Sequence, residues 1–132
     1  MKPIQAIAGF AIALVMLQSA PVTLAAEGQG KQHCFFSNQF NNWKAADEKT
    51  LYIRVGVNRY YRLDLAGACR TALWPDAVLI TRFRGSNAVC SAIDWDLKVA
   101  QRVDGIPEGC IVSKMTELSS SEAEALPRKV KP

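Results

Sequence analysis

Histidine is nearly missing from this chain of 132 residues, His33 being the only one. One histidine cannot furnish the imidazole pair that many metal sites use. His33 also adjoins Cys34 on a stretch without apolar pattern, where a base for a serine or cysteine nucleophile would be poorly held. It reads as an exposed spectator. The chain lacks a Cys-x-x-Cys spacing, a glycine-rich phosphate loop and a dinucleotide fingerprint, so neither a zinc or other metal site nor a nucleotide cofactor is expected. Neither sign of charge dominates the body of the chain. Of 16 Lys and Arg, Lys2 stands at the start and Arg128, Lys129 and Lys131 at the end, which leaves 12 against 12 acidic residues over 27–126. That balance argues against specific nucleic-acid binding. No long apolar run follows residue 17, so no membrane span is expected after the N-terminal segment.

What is there begins with an export signal. Lys2 supplies the positive charge, Ile4 to Leu17 is an apolar run interrupted by Gln5, and Thr23-Leu24-Ala25 ends in the small residue a signal peptidase needs. Residues 1–25 read as a signal peptide, cut after Ala25 or alternatively after Ala26, and 26–33 as a flexible arm. No cysteine stands just behind the apolar run, so a lipid anchor is not expected. The remaining ~107 residues suffice for one domain and not two. Its expected address is periplasmic or secreted.

All four cysteines, Cys34, Cys69, Cys90 and Cys110, lie in the exported part. An even number in a small exported domain implies two disulfides, for which three connectivities exist. The preferred pairing joins Cys69 to Cys90 and Cys34 to Cys110, because the second bridge would tie the N-terminal arm to the last strand.

The segment Thr50 to Leu65 reads as a hairpin turning at Gly56 and Asn58. Leu51, Ile53 and Val55 share one side of the first strand; Tyr61, Leu63 and Leu65 share one side of the second. These sets meet only across a loop with an odd number of residues. The simplest such loop, Val57-Asn58-Arg59, pairs Val55 with Tyr61, Ile53 with Leu63 and Leu51 with Leu65. Elsewhere, Phe36, Phe40 and Trp43 recur at helical spacing and predict a helical turn ending near Lys44. Ala66 to Pro75 is a connection with one helical turn. Val78 to Phe83 reads as a strand turning at Arg84-Gly85-Ser86-Asn87 into its partner, Ala88 to Ser91. In the next strand Ile93, Trp95, Leu97 and Val99 alternate with Asp94, Asp96, Lys98 and Ala100. A turn at Asp104 to Gly109 leads to a last strand from Cys110 to Met115. Ser119 and Glu122 form a capping box ahead of a helix from Ser120 to Leu126, stopped by Pro127. Residues 34–126 thus predict a mainly β fold of the β-rich α+β kind. It is a small antiparallel sandwich or partial barrel of five to six strands, with a short N-terminal helical turn, a short C-terminal helix and two disulfides. Residues 127–132 read as a disordered basic tail.

Two groupings carry chemistry. Asp94 and Asp96 on one strand face would stand at a spacing that suits paired acid and base work, though any polar strand face produces it. The predicted hairpin register also sets Arg54 against Arg62, with Tyr52 and Tyr60 beside them. Facing like charges destabilise a sheet unless a carboxylate, here Asp64 or Asp96, water or a bound anion neutralises them. Arg82 and Arg84 would enlarge this patch if their strand lay alongside. The candidate binding residues are therefore Arg54, Arg62, Tyr52 and Tyr60, and no residue is singled out as catalytic.

Cys34-Phe35, Trp43, Leu51 to Val55, Tyr61 to Leu65 ahead of Cys69, Val89-Cys90-Ser91, Cys110-Ile111-Val112 and the ending Leu118 to Pro127 carry a resemblance. Over essentially the whole mature chain they resemble a family of small exported bacterial proteins catalogued only as a domain of unknown function. The resemblance implies a secreted or periplasmic address and a shared four-cysteine frame, with no activity to transfer. The function expected is that of a non-enzymatic binding or envelope-associated module, its partner an acidic envelope component or protein. The alternative is a small periplasmic hydrolase or an enzyme inhibitor.

Overall fold

Nine β segments form three antiparallel sheets in the computed structural model, which describes residues 33–103 and 105–132. The segments read as signal peptide and arm, apart from His33, and Asp104 of the expected turn lie outside these residues. The largest sheet has the order β2 (Phe40–Asp47), β3 (Thr50–Val55), β4 (Arg59–Leu65) and β9 (Val112–Glu117). A second runs β5 (Ala77–Phe83), β7 (Trp95–Gln101) and β8 (Glu108–Cys110). The third pairs β1 (Phe35–Phe36) with β6 (Ala88–Val89). The one α-helix among the described residues is α1 (Ser120–Ala125). The expected β-rich fold with a short C-terminal helix and two disulfides is present, and no sheet closes into a barrel.

The core is a single cluster fed by all three sheets. Leu51, Ile53, Tyr61 and Leu63 from the largest sheet meet Trp95, Leu97 and Val99 from the second and Phe35 and Val89 from the smallest. In the central hairpin the apolar sets do face each other, as their parity demands. The register is shifted by two residues from the predicted one, around a loop of the same length: Leu51 faces Leu63, Ile53 faces Tyr61 and Val55 faces Arg59. Gly56 is the reason. Its φ of +58° belongs to the left-handed region, so it opens a three-residue loop of Gly56, Val57 and Asn58 where the prediction kept it in the strand. A Cβ at Gly56 would meet nothing within 4 Å, so its substitution cost is conformational alone. Gly56→Ala is expected to lose about 1 kcal/mol, read from the denaturant midpoint, and Gly56→Asn distinctly less.

The stripe of Phe36, Phe40 and Trp43 is not helical beyond the 3₁₀ turn Ser37–Gln39. Phe40 and Trp43 lie on β2, where Phe40 pairs with Val55, Asn42 with Arg54 and Trp43 with Ile53. One extra residue, Asn41, is bulged there. A bulge reverses strand parity, so residues three apart point the same way and imitate a helix period. Phe40 and Trp43 pack on the core, while Phe36 stays 59% exposed.

Ala88 and Val89 pair with β1 and not with β5, whose partner is β7. Phe35 faces Val89, so Cys34 and Cys90 are the next facing positions, with Cα atoms 4.1 Å apart, and they are bridged. The other bridge, Cys69 to Cys110, follows from a chain crossing. The expected strand from Cys110 to Met115 is divided at Ile111, where the chain passes from β8 to β9 in a different sheet. The segment leaving β4 runs beside this point, with Ala66 N–H donating to Ile111 C=O at 2.9 Å, and so brings Cys69 to Cys110. Both bridges therefore differ from the predicted pairing.

At the C-terminus, Ser119 caps α1 as anticipated, accepting from Glu122 N–H while Glu122 accepts from Ser119 N–H. The tail is not disordered. Val130 and Lys131 N–H both donate to Pro127 C=O, and Pro132 is buried.

Candidate functional site

Alternation along β3 and β4 sends Leu51, Ile53, Tyr61 and Leu63 inward and leaves Tyr52, Arg54, Tyr60 and Arg62 on the opposite face. Registers across the sheet carry that face into rows. Lys44, Tyr52, Arg62 and Thr116 form one row; Asn42, Arg54 and Tyr60 form the next; Asp64 stands opposite Lys114. A cleft of about 530 Å³ opens over it. Its floor is Tyr52, Arg62, Asp64, Lys114 and Thr116, and its wall is Leu118, Glu122 and Leu126 of the C-terminal segment.

Arg54 and Arg62 do not face each other, because the shifted register sets Arg54 against Tyr60 and Arg62 against Tyr52. The like-charge conflict expected between the arginines is therefore absent. The face is cationic for a different reason. Arg62 Nε donates to Asp64 Oδ1 at 2.8 Å, and this bond raises the guanidinium pKa. Glu122 is held by Ser119 N–H, which draws its pKa down, and Asp47 by Lys49 N–H. The neighbouring carboxylates are thus engaged. Lys44, Arg54 and Lys114 have no carboxylate at ion-pair distance among the described residues, and the buried Nε of Arg54 has no hydrogen-bond partner.

Of the predicted binding residues, Tyr52 and Arg62 line the cleft. Arg54 and Tyr60 lie one pair along the sheet, where the Lys131 ammonium sits 5.4 Å over the Tyr60 ring. Arg82 and Arg84 do not enlarge the patch: Arg82 lies on β5 of the other sheet, and Arg84 lines a second cleft with Trp95, Asp96 and Ile111. Asp64, named from sequence as a possible partner of the arginines, does pair with Arg62, whereas Lys44 and Lys114 were not singled out. Lys44 was hidden by the helical reading of β2. Asp64 was visible on the polar side of the hairpin, and Lys114 sits in a strand whose neighbour only the fold reveals.

The two aspartates do not form a pair on one strand face. Asp94 closes a 3₁₀ turn, Ala92–Asp94, and its carboxylate accepts from Cys90 N–H at 2.8 Å and Ser91 N–H at 2.9 Å. Asp96 alone lies on β7, opposite Arg82. Ile93 is correspondingly turned out and 74% exposed.

A second polar cluster was not anticipated from sequence. Arg59 Nε donates to Glu117 Oε1 at 2.8 Å, and its Nη2 donates to the Tyr61 hydroxyl and to Cys34 C=O. The Tyr61 hydroxyl donates to His33 C=O at 3.0 Å. His33 Nδ1 approaches Glu117 Oε2 at 2.5 Å, a close contact without hydrogen-bond alignment. Burial first, and then the Glu117 charge, push the Tyr61 phenol up to about 12, against the opposing pull of Arg59. These groups fasten the chain around Cys34 to the edge of the largest sheet, so His33 is a tethered residue and not a spectator. The signal was present in Arg59 and Tyr61 on one strand face, but Glu117 as their partner was not. Cys69, Glu108 and Cys110 bring three potential metal ligands within 4.8 Å, with both sulfurs already joined in the disulfide. Glu108 accepts from Thr71 N–H at 2.9 Å, and hydrogen bonding from the Thr71 side chain, together with this backbone bond, lowers its pKa.

Comparison with known protein families matched residues 3–131 to a model described as Family of unknown function (DUF6491). No curated protein and no solved structure matches the chain.

Proposed function

The chain belongs to that family of unknown function, whose description assigns no activity, and we propose from the geometry that it is an exported, non-enzymatic module that binds an acidic ligand on the outer face of its largest sheet. The observation that carries this reading is the unequal engagement of charge on that face. Asp47, Asp64 and Glu122 already have partners, whereas Lys44, Arg54 and Lys114 have no carboxylate at ion-pair distance among the described residues. An anion arriving there meets cations without displacing an internal ion pair, and the Tyr52 ring and Leu118 offer apolar surface beside the charge. The export part of the proposal rests on the signal grammar of residues 1–25 and on two disulfides, which form and persist in oxidising compartments.

Titration with heparin and with polyglutamate at low and moderate salt tests the binding. Lys114→Ala and Arg54→Ala are each expected to weaken affinity about three- to tenfold and to flatten its salt dependence. Arg82→Ala on the other sheet should leave both unchanged. Equal affinity in all three variants, or loss confined to Arg82→Ala, would remove this face from consideration.

A further inference from the structure

Exposed strand edges are ready to pair with another chain, and most edges of this protein are guarded. β2 is interrupted by two register irregularities and carries Lys44, while β8 spans three residues, Glu108–Cys110. β5 is different. It forms the outer edge of its sheet, pairs one-to-one with β7 over all seven residues from Ala77 to Phe83, and contains no proline, glycine or lysine.

The direction of its free hydrogen-bonding groups can be derived. Arg84 N–H donates to Asp94 C=O and Arg102 N–H donates to Asp76 C=O, so even-numbered residues of this segment turn their backbone groups toward β7. The odd-numbered ones turn theirs away. Leu79, Thr81 and Phe83 thus present amides to the open edge, and Ala77, Leu79, Thr81 and Phe83 present carbonyls. An antiparallel newcomer must form its hydrogen-bonded pairs with these residues.

We propose that β5 is a self-association edge, to which a second copy of this chain adds antiparallel so that Ile80 faces Ile80 of the second copy. In this register Leu79 pairs with Thr81 and Phe83 with Ala77 of the other copy, and the three free amides of each chain find carbonyls. The outward face pairs suitably as well. Ile80, 41% exposed, covers its own symmetry mate, and Asp76 comes opposite Arg84 of the second copy, twice by symmetry. Both charges are exposed, and neither has an ion-pair partner among the described residues. This charge pattern is self-complementary, which is why the occupant is a second copy and not an unrelated strand. The two three-stranded sheets become one of six strands.

An interface built on one strand edge is small, so about micromolar affinity is expected, and the mass should be followed by light scattering or sedimentation from about 1 μM to 1 mM. The full chain should approach twice its single-chain mass. Ile80→Lys should raise the dissociation constant at least about tenfold by opposing two ammonium groups. Asp76→Arg should weaken the dimer, and adding Arg84→Asp should restore it. Hydrogen exchange on the unaltered protein gives a reading independent of any variant's folding: the Leu79, Thr81 and Phe83 amides should gain protection as concentration rises. A single-chain mass throughout, or a dimer indifferent to Ile80→Lys, would overturn the proposal. Concentration-dependent protection at β2 or β9 in place of β5 would do so too.

Discussion

Reduction of both disulfides is expected to lower the melting temperature by tens of degrees. Cys34–Cys90 joins residues 56 apart in sequence and Cys69–Cys110 residues 41 apart. Loops of that size give each bridge about 4 kcal/mol by restricting the unfolded chain. A domain this small has only about 5 to 15 kcal/mol of net stability, so losing both removes most of it. The bridges also act locally. Cys34–Cys90 extends the two-residue pairing of β1 with β6, which is marginal alone. Cys69–Cys110 joins the segment after β4 to the second sheet. Thermal melts with and without a phosphine reductant measure the effect, and peptide mapping of the unreduced protein should recover Cys34 with Cys90. An unchanged melt after complete reduction would show that the core alone holds the fold.

Trp95→Ala is expected to cost about 3 to 5 kcal/mol, near the upper end for a single core substitution. Trp95 is 4% exposed, and its ring lies 5.0 Å from Phe83, 6.1 Å from Phe35 and 6.2 Å from Phe40, centre to centre. It therefore touches aromatic rings from β5, β1 and β2, one from each sheet. Its indole N–H points to the Met115 sulfur at 3.4 Å, so the polar edge is also engaged. Ile93→Ala is the matched comparison, expected to change stability by less than about 0.5 kcal/mol because that side chain is largely in water. Urea unfolding of both variants decides whether the two residues share one face, as plain alternation along the sequence implies, or are separated by the 3₁₀ turn that Asp94 closes.

The contrast between those two residues marks how far the sequence could be read. Period-two alternation placed β3, β4 and most of β7 correctly, because a strand with one buried face has no freedom in parity. Parity does not specify offset, which at the hairpin was decided by the left-handed backbone of Gly56. The shifted register dissolved the facing arginines but kept all four named residues on one sheet face. The bulge at Asn41 was illegible, since an inserted residue makes Phe40 and Trp43 mimic a helix. Long-range pairings were illegible for a different reason: Cys34 finds Cys90 only because β1 takes β6 away from β5, and no local pattern encodes that choice. Glu117 is hidden in the same way, becoming a partner for Arg59 and His33 only once β9 lies beside β4. The capping box of Ser119 and Glu122 is local and was fully readable.

The acidic ligand proposed for this protein would meet it on the outer face of the four-stranded sheet. Amide chemical-shift mapping of the isotope-labelled protein during titration with a short polyglutamate tests this most directly. Saturable shifts are expected to gather at Tyr52, Arg54, Arg62, Lys114 and Thr116 and to fade as salt is raised. Shifts gathered at Arg84, Ile93 and Ile111 around the second cleft, or no saturable shifts at low salt, would contradict the proposal.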